Sequence, residues 1–500
     1  MPETSDRSAP AEAPRAVTTH ISLLLLTGDR VLKFRKPIVT DFCDFATVES
    51  RLHDCEREVE LNRRLTDDVY IGVGRVQLTE EPADHAEPCV VMRRLPDDRL
   101  LSTMIAAGED IGDAVRSIAR QLAVFHANAT HVTATDLDDG LRKVEARWAD
   151  AVEKLRPLAH GPEAAADLEE IEQLARRWCA GSTGLFRQRL ADGFVRDGHG
   201  DLRAENIFCL DDGPRILDCI EFDDELRHID VVTDLAFLVM DLRRLGRPAE
   251  AETLIEVYEE AADGPVPRAL LEHDAAYWAL VRAKVTHLRA AQGDPSARAE
   301  AVDLQSLALA LLRQARVRLV VVGGLPGTGK STLARHLAAA TGWVVVSSDH
   351  VRKELAALPL TARSNDGYGE GLYAPDRVGA VYAEMLRRAQ HCLERGQSVI
   401  LDASWIRSAD RVDAASLAHA AHAVLHEVRC TVDDEVARSR LVARVAGDTD
   451  ASDADPAIAQ QMAASLEPWP TAVTIDTSGA IEETTTRLRD LFDAPPAPMP

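Results

Sequence analysis

The chain has 500 residues, of which 46% are hydrophobic, and its formal net charge is −25. At roughly 100 to 200 residues a domain, this length predicts two to four domains with buried cores, and we expect two main ones. The strongly negative charge and an aromatic content of only 4% argue against a broad cationic groove with stacking platforms, although they leave room for a local basic cleft. Nucleic acid is therefore a disfavoured partner.

The cysteines and the apolar runs indicate the cellular compartment in which we expect the protein. The eight cysteines form no C-x-x-C pair and show no metal-ligand spacing, which is typical of thiols in a reducing compartment. Residues 1–14 lack the form of a secretory signal, and no apolar run is long enough to span a bilayer. We therefore expect a cytoplasmic enzyme that makes no contact with a membrane.

The first half of the chain has the pattern of a small sheet followed by helices. We expect residues 1–17 to be disordered, and the two apolar runs on either side of Gly28 are typical of a β-hairpin. Charged and amphipathic helical patterns then follow two further strand patterns. The predicted strands are 21–26, 30–34, 69–78 and 89–92, and the predicted helices are 47–65, 111–127, 141–179, 231–245 and 269–291.

The second half alternates regularly between strand and helix after a break near residues 293–296. Such alternation predicts a parallel sheet that helices cover on both faces. We place the two domains at residues 18–310 and 316–492, and we expect the Pro-rich tail at 493–500 to be disordered. The predicted strands of this half are 319–322, 343–348, 398–402 and 424–431, and the helices are 297–315, 330–340, 376–395, 409–420 and 433–445.

A first set of residues with catalytic spacing lies in the first half. His199, Asp201 and Asn206 fit the pattern H-x-D-x-x-x-x-N, and Asp218 follows an apolar pair at 216–217. In kinases with this spacing one carboxylate accepts the proton of the attacking hydroxyl, while an amide and a second carboxylate hold the metal ions. We assign the first role to Asp201 and the metal-binding roles to Asn206 and Asp218. His199 is interpreted as a buried hydrogen-bonding scaffold.

A lysine and a glutamate upstream are candidates to complete this site. Lys33 on the second predicted strand could bind the α- and β-phosphates, and Glu58 on the following helix could orient it. The ordinary alternative for both is a solvated surface charge. Lys36 and Glu60 are weaker rivals for the same two roles.

Residues 20 to 289 resemble the aminoglycoside phosphotransferase and choline kinase group, in which Gly follows the loop histidine, as Gly200 does here. The resemblance implies an α+β protein-kinase-like fold, ATP and Mg²⁺ as cofactors, and a small-molecule hydroxyl as acceptor. Asp230 and Asp234 are interpreted as braces of the catalytic loop. The group covers the nucleotide phosphates with a hairpin, and the only candidate for that cover here is the turn at residues 26–29.

A phosphate-binding loop lies in the second half. Residues 324–331 hold the pattern G-x-x-x-x-G-K-S between an apolar strand and a helical pattern. Backbone N–H groups of such a loop close around phosphate oxygens, Lys330 can reach the β- and γ-phosphates and assist catalysis, and the Ser331 hydroxyl can ligate Mg²⁺. The predicted nucleotide-binding residues are Gly324, Gly327, Gly329, Lys330, Ser331 and Thr332.

Charged residues near the ends of the next strands are candidates for the acceptor side. Asp349 could deprotonate an acceptor hydroxyl, and Arg352 could bind an anionic acceptor group. Asp402 could act on the metal through water or orient Arg352. Arg440 and Arg444 lie four residues apart on one predicted helix face, where they could close over the transferring phosphoryl group or simply form a solvated, salt-bridged surface.

Residues 317 to 475 resemble small P-loop kinases such as gluconate kinase, adenylylsulfate kinase, polynucleotide kinase and the zeta-toxin group. The whole chain resembles the bacterial two-domain proteins known as bifunctional aminoglycoside phosphotransferase/ATP-binding proteins. This resemblance implies an α/β P-loop NTPase domain with a parallel sheet after the kinase-like domain. Because this half contains no N-K-x-D guanine-reading motif, ATP is the expected phosphoryl donor.

These observations predict an ATP-dependent kinase with two nucleotide-binding domains that acts on a hydroxyl of a small molecule. One alternative is that a single half catalyses while the other senses nucleotide, and the first half is the stronger candidate for the sensor. A second alternative is a nucleic-acid end kinase, which the net charge disfavours. A third, resistance to aminoglycosides, has little support, and the acceptor and the oligomeric state stay open.

Overall fold

The computed structural model of the chain describes residues 14–19, 21–40, 43–77, 86–133, 139–159, 161–291, 293–360, 362, 369–445 and 456–493. The chain divides into two compact units. The first comprises Met1–Thr135, Arg189–Val266 and Asp274–Arg282, and the second comprises Asp136–Gln188, Pro267–His273 and Ala283–Pro500. Each unit contains several separate segments of the chain. This division does not test the predicted domain limits of 18–310 and 316–492, which stay a prediction.

The described ranges contain strands and helices throughout. The strands are β1 (Arg15–Thr18), β2 (Ser22–Thr27), β3 (Arg30–Arg35), β4 (Tyr70–Val76), β5 (Glu87–Arg93), β6 (Val195–Asp197), β7 (Ile207–Leu210), β8 (Gly213–Ile216), β9 (His228–Asp230), β10 (Arg318–Gly323), β11 (Val344–Ser347), β12 (Val399–Asp402), β13 (Val424–Thr431) and β14 (Val473–Asp476). The helices are α1 (Val48–Asn62), α2 (Leu101–Ala106), α3 (Gly112–Asn128), α4 (Asp139–Leu155), α5 (Pro162–Gly181), α6 (Thr183–Ala191), α7 (Val231–Arg244), α8 (Pro248–Ala261), α9 (Arg268–Ala291), α10 (Ala297–Ala315), α11 (Lys330–Thr341), α12 (Ser348–Leu355), α13 (Pro375–Leu393), α14 (Ser408–Ala420), α15 (Asp434–Val445), α16 (Pro456–Ala464) and α17 (Ile481–Asp493). None of these helices combines the length and the apolar character that crossing a lipid bilayer requires.

The first unit contains a five-stranded antiparallel sheet in the order β1-β2-β3-β5-β4. The hairpin between β2 and β3 forms where it was predicted, and Gly28 supplies the left-handed backbone (φ 54°) that its two-residue turn requires. Helix α1 covers the sheet, and Cys55 and Val59 pack there against Val90 and Met92.

Part of the segment predicted to be disordered, residues 1–17, forms a strand. Residues 1–13 lie outside the described residues, whereas Arg15–Thr18 form β1 and pair antiparallel with Leu23 to Leu26 of β2. Backbone hydrogen bonds to an otherwise open sheet edge order these four residues, although their side chains are mostly exposed.

The second unit contains a five-stranded parallel sheet in the order β11-β12-β10-β13-β14. The prediction of a parallel sheet wrapped by helices is therefore confirmed, and β14 is a fifth strand that the sequence pattern did not indicate. Val321 and Leu401 face one buried cluster, whereas Val320 and Ile400 face the other. Since every strand runs in the same direction, their carboxyl ends meet at one edge, where ligands of open α/β sheets bind.

The helical stretch predicted at 141–179 consists of two helices, α4 and α5. They are separate because Gly161 has a left-handed φ of 103° and Pro162 is the first residue of α5. Within the second unit, Glu170 of α5 forms a two-pronged ion pair with Arg313 of α10 at 2.7 and 2.8 Å. Arg177 of α5 donates to the carbonyl of His422, just before β13, at 2.8 Å.

Candidate functional site

The loop between β6 and β7 in the first unit is held by buried acceptors. The Asp234 carboxylate accepts hydrogen bonds from the backbone amides of His199 (2.6 Å) and Gly200 (3.0 Å). His199 is fully buried, and its Nε2 lies 3.0 Å from the Leu217 carbonyl. Burial lowers the pKa of His199, so its neutral ring acts as a hydrogen-bonding scaffold. Asp230 caps α7 through the Val232 amide.

This bracing leaves Asp201 and Asn206 side by side. Asn206 Nδ2 donates to the Asp201 carbonyl at 2.9 Å and to Asp201 Oδ2 at 3.0 Å. Arg203 also donates to Oδ2, at 2.6 Å. Burial alone would lower the pKa of the Arg203 guanidinium, but the Asp201 carboxylate and, more weakly, Asp218 raise it. Arg203 was not among the predicted residues, although its place two positions after Asp201 could have indicated it.

Lys33, Glu58 and Asp218 form one connected ion-pair group. The Lys33 Nζ atom lies 2.8 Å from Glu58 Oε1 and 2.6 Å from Asp218 Oδ1. The Lys33 ammonium holds the pKa of Asp218 at about 2, so this carboxylate is ionised at neutral pH. Asp218 also has a left-handed backbone with φ 64°, a strained conformation for a residue other than glycine that often marks a functional site.

The two rival residues lie elsewhere. Lys36 donates to the Thr19 carbonyl through an exposed contact, and Glu60 pairs with Arg57 on the surface of α1 at 2.9 Å. The structure thus brings Lys33 and Glu58 to Asp218, and it places neither rival there.

A second cation, Arg35, lies on the same face of β3 as Lys33. Its guanidinium donates to Asp54 and Glu221, to Glu58 Oε2 at 2.7 Å and to Ser22 Oγ at 2.7 Å. The Arg35 side chain is only 1% exposed. Sequence reasoning missed both Arg35 and Glu221. The only local signals were an arginine two residues after Lys33 and a carboxylate three residues after Asp218.

The buried position of Glu221 gives the first unit a testable pH dependence. Burial raises the pKa of Glu221 from its usual 4.5 to about 8. The positive charges of Arg35 and Lys33 oppose this increase, and the negative charges of Glu58 and Asp54 add to it. Because the pKa of Glu221 is higher in the folded than in the unfolded state, the protonated carboxyl stabilises the folded state. This stabilisation is fully present below about pH 4.5 and is lost as pH rises through about 8.

We therefore expect wild-type α1 to lose protection against hydrogen exchange, relative to the Glu221→Gln variant, between about pH 6 and about pH 9. Comparing the two proteins at each pH by mass spectrometry cancels the intrinsic pH dependence of exchange. An unchanged ratio of protection across this range would contradict the prediction, because it would show that Glu221 does not titrate between these pH values.

The turn at residues 26–29, the candidate for the nucleotide cover, lies beside the end of β5. The Arg94 amide donates to the Asp29 carbonyl at 2.8 Å. The connection between β1 and β2, at the opposite end of β2, contains Thr19, whose hydroxyl accepts from the Ser22 amide at 3.0 Å. No glycine occurs in this connection. Neither connection therefore has the glycine-rich character of a phosphate cover.

In the second unit the loop between β10 and α11 packs closely against the backbone of β13 and α15. Gly324 (φ 136°) and Gly327 (φ 85°) both have backbones that favour glycine. A Cβ atom at Gly324 would lie 2.5 Å from the Cys430 carbonyl oxygen, and one at Gly327 would lie 2.7 Å from that of Ala437. Lys330 points back over the loop, with Nζ 3.1 Å from the Leu325 carbonyl. The loop therefore has the shape of a phosphate cradle with its lysine inside.

Asp402 lies next to this loop at the carboxyl end of β12. Its side chain is buried, and its Oδ1 atom has no hydrogen-bond partner among the described residues. Burial raises the pKa of Asp402, while Lys330 and the hydroxyls of Ser331 and Ser347 lower it. A buried carboxylate oxygen without a donor, beside a serine hydroxyl, fits the oxygen ligands that Mg²⁺ prefers, directly or through water.

Asp349 and Arg352 form an ion pair at the start of α12, and Arg352 lies over the Tyr373 ring at 4.6 Å from its centre. Asp349 is near enough to Asp402 to raise the pKa of that carboxyl. The structure thus brings the predicted acceptor-side residues to the same sheet edge as the phosphate loop.

Arg440 reaches the segment after β14 instead of open solvent. It donates to the Thr477 carbonyl at 2.9 Å, and the Thr477 hydroxyl donates to the Thr328 carbonyl in the phosphate loop at 2.7 Å. The backbone of Arg444 belongs to α15, but its side chain lies outside the described residues. Thr332 is exposed on the first turn of α11.

Two protein-family models match this chain one after the other. The model of the phosphotransferase enzyme family (APH) matches residues 26–273, and the AAA domain model AAA_33 matches residues 319–469. The uncharacterized protein Rv2004c of Mycobacterium tuberculosis is 41% identical over 464 residues, which cover 93% of this chain and 92% of that protein. This chain belongs to the same two-domain family. Its predicted fold class, an APH-like kinase fold followed by a P-loop kinase domain with a parallel sheet, is confirmed.

Two solved structures are similar to parts of this family member. A choline/ethanolamine kinase family protein from Mesorhizobium loti is 15% identical, with a TM-score of 0.37 over 62% of this chain and 94% of that one. A gluconokinase from Sinorhizobium meliloti is 19% identical, with a TM-score of 0.25 over 35% of this chain and 96% of that one. The two kinase-like domains found by the family models support a phosphotransferase.

Proposed function

We propose that the protein is a cytoplasmic, ATP- and Mg²⁺-dependent kinase that phosphorylates a hydroxyl of a small molecule, with a nucleotide site in each unit. The observation that carries the proposal is the ion-paired group of Lys33, Glu58 and Asp218 in the unit that also pairs Asp201 with Asn206. These are the residue types that bind triphosphate, hold metal and accept a proton in phosphoryl transfer.

In the first unit Asp201 is the proposed general base. Both Arg203 and Asn206 donate to its Oδ2 atom, so we assign the proton of the acceptor hydroxyl to Oδ1. Asn206 and Asp218 would hold Mg²⁺, which when bound neutralises charge on the triphosphate. Lys33 would exchange its bond to Asp218 for the phosphates while Glu58 keeps it oriented.

In the second unit the phosphate loop from Gly324 to Thr332 would bind the triphosphate, and Lys330 would stabilise charge on the transferring group. Ser331 and Asp402 would hold Mg²⁺, directly or through water. Asp349 would deprotonate the acceptor once Arg352 has turned to an anionic group of that acceptor.

Arg440 and Arg444, two arginines of α15, would have different roles at the second site. The bonds of Arg440 to Thr477, beside the loop–helix junction, support a contact of Arg440 with the bound nucleotide. Arg444 lies one helical turn further along α15, and its predicted role at the transferring phosphoryl group stays part of the proposal.

The test is transfer of label from γ-labelled ATP to fractionated small metabolites in the presence of Mg²⁺. We expect a labelled product that resists hydroxylamine, because phosphate esters of hydroxyl groups survive this nucleophile whereas acyl phosphates do not. A hydroxylamine-labile product would assign a carboxylate as the acceptor, and release of inorganic phosphate alone from every fraction would contradict the kinase proposal.

A second candidate function has one observation in its favour. The connections beside β2 lack a glycine-rich phosphate cover, which supports a first unit that binds nucleotide but does not turn it over. This sensor would bind Mg·ATP with the second unit as the only catalyst. Retention of all transfer activity in an Asp201→Asn variant would favour it.

A further inference from the structure

Arg35 connects three separate segments of the first unit through buried hydrogen bonds. It donates to Ser22 on β2, to Asp54 and Glu58 on α1, and to Glu221 in the segment after Asp218. All five side chains are buried, and a buried charge is costly unless it is paired and hydrogen-bonded. Arg35 therefore fixes α1 to β3 and to the chain that carries Asp218.

Glu58 is shared between the two cations of β3. Its Oε1 atom accepts from Lys33 and its Oε2 atom accepts from Arg35. Because each oxygen has its own cation, the plane of the carboxylate is fixed by both bonds. The position of Lys33 relative to Glu58 thus depends on Arg35.

The same three carboxylates could otherwise be taken for a metal site. Asp54, Glu58 and Glu221 each offer an oxygen within 4.8 Å of the others. The Arg35 guanidinium hydrogen-bonds to all three, so the place of a cation between them is already filled by the protein itself.

We propose that Arg35 is a positioning residue of the first nucleotide site: it holds Glu58 in the orientation that keeps Lys33 available to a bound triphosphate. This inference rests on the proposed function of that site. When Mg·ATP binds, Lys33 must leave Asp218 for the phosphates, and a fixed Glu58 is the partner that remains. Without Arg35, Glu58 can turn away, and Lys33 is left with Asp218 as its stronger partner.

The test uses an acyl-phosphate derivative of ATP, which acylates lysines that lie beside nucleotide phosphates, with mass spectrometry to read Lys33 and Lys330 separately in the full chain. The main variant is Arg35→Met combined with Asp54→Asn and Glu221→Gln. It removes the guanidinium together with two of the carboxylates it pairs, so that no large excess of buried negative charge remains. Lys330 in the same molecule is the internal control.

We expect labelling of Lys33 in this variant to slow about tenfold or more, since a misplacement of about 1 Å in a reacting group can cost on the order of 10²-fold. Labelling of Lys330 should not change, and hydrogen exchange should show α1 as protected as in the wild type. A purely structural Arg35 would let the charge-compensated variant label Lys33 at the wild-type rate, and that result would overturn the proposal.

Arg35→Lys supplies a second measurement if the triple variant loses protection in α1. One ammonium cannot span Asp54, Glu58 and Glu221 as a guanidinium does, so we expect an intermediate rate at Lys33 with α1 intact. A wild-type rate in this variant would also overturn the proposal. A different result is possible in the wild type: Lys33 is not labelled, or its labelling is not blocked by Mg·ATP. That result would contradict the nucleotide site itself, and with it the role of Arg35.

Discussion

Replacing Lys330 by Ala is expected to lower phosphoryl transfer by the second unit about 10²- to 10³-fold, the effect of removing one preorganised charge from the transition state. The lysine lies inside the glycine-rich loop, 3.1 Å from the Leu325 carbonyl, and it is the one cation in the sequence of that loop, residues 324–331. Calorimetric titration with Mg·ATP should show the loss of one of two sites, and transfer assays should show the loss of turnover.

The matched control is Arg387→Ala. Arg387 is an exposed cation on α13 of the same unit, paired with Glu384, and its removal changes the net charge equally without touching the loop. An unchanged stoichiometry of ATP binding in Lys330→Ala would show that the loop does not bind nucleotide through this lysine.

Replacing Asp201 by Asn is expected to lower kcat of the first unit about 10²- to 10⁴-fold, because a positioned general base contributes this much to proton transfer. The Asn side chain keeps an oxygen that can accept from Arg203 and Asn206, so the loop should remain folded. The KM for ATP should stay nearly constant, since Lys33 and Asp218 are unchanged. Steady-state transfer to the labelled acceptor at varied ATP separates the two parameters.

Glu205→Gln is the control for this variant. Glu205 lies in the same loop and also pairs with Arg203, at 2.9 Å, but its side chain is half exposed. The substitution should therefore leave kcat nearly unchanged. If Asp201→Asn transfers phosphate at the wild-type rate, the first unit does not use Asp201 as a base, and the sensor function becomes the better proposal.

The phosphate loop and the H-x-D-x-x-x-x-N pattern could be recognised from sequence because their chemistry depends on spacings of a few residues. Gly324 and Gly327 have positive φ angles that favour glycine, and this requirement lies within the loop itself. The carbonyls that crowd the place of a Cβ come from Cys430 and Ala437, which are distant in sequence. Gly28 in the hairpin of the first sheet has a left-handed backbone (φ 54°) as well, although no atom crowds the place of its Cβ. Backbone conformations of this kind can be predicted from a short segment of sequence.

Other elements had no such local signal. Strand β14 has four residues, and only Ile475 is buried, so its alternation was too short to identify. It is a strand because β13 offers hydrogen bonds along its length. Strand β1 likewise owes its order to pairing with β2. In both cases the strand forms because it pairs with a neighbouring strand, and the segment's own residue pattern does not indicate this.

The sequence by itself determined the two motifs on which the proposed chemistry depends, since the glycine-rich loop with Lys330 and the segment from His199 to Asn206 are each encoded within about ten residues. Only the tertiary structure decided which charges of the first unit work together. Lys33 and Lys36, or Glu58 and Glu60, are equivalent as charged residues on a strand or a helix. What separates them is their position beside Arg35 and Asp218. The bonds of Lys33 to Asp218 and of Arg35 to Glu58 and Glu221 join residues 23 to 186 positions apart, and the free energy of a buried charge depends on such partners and not on its neighbours in sequence.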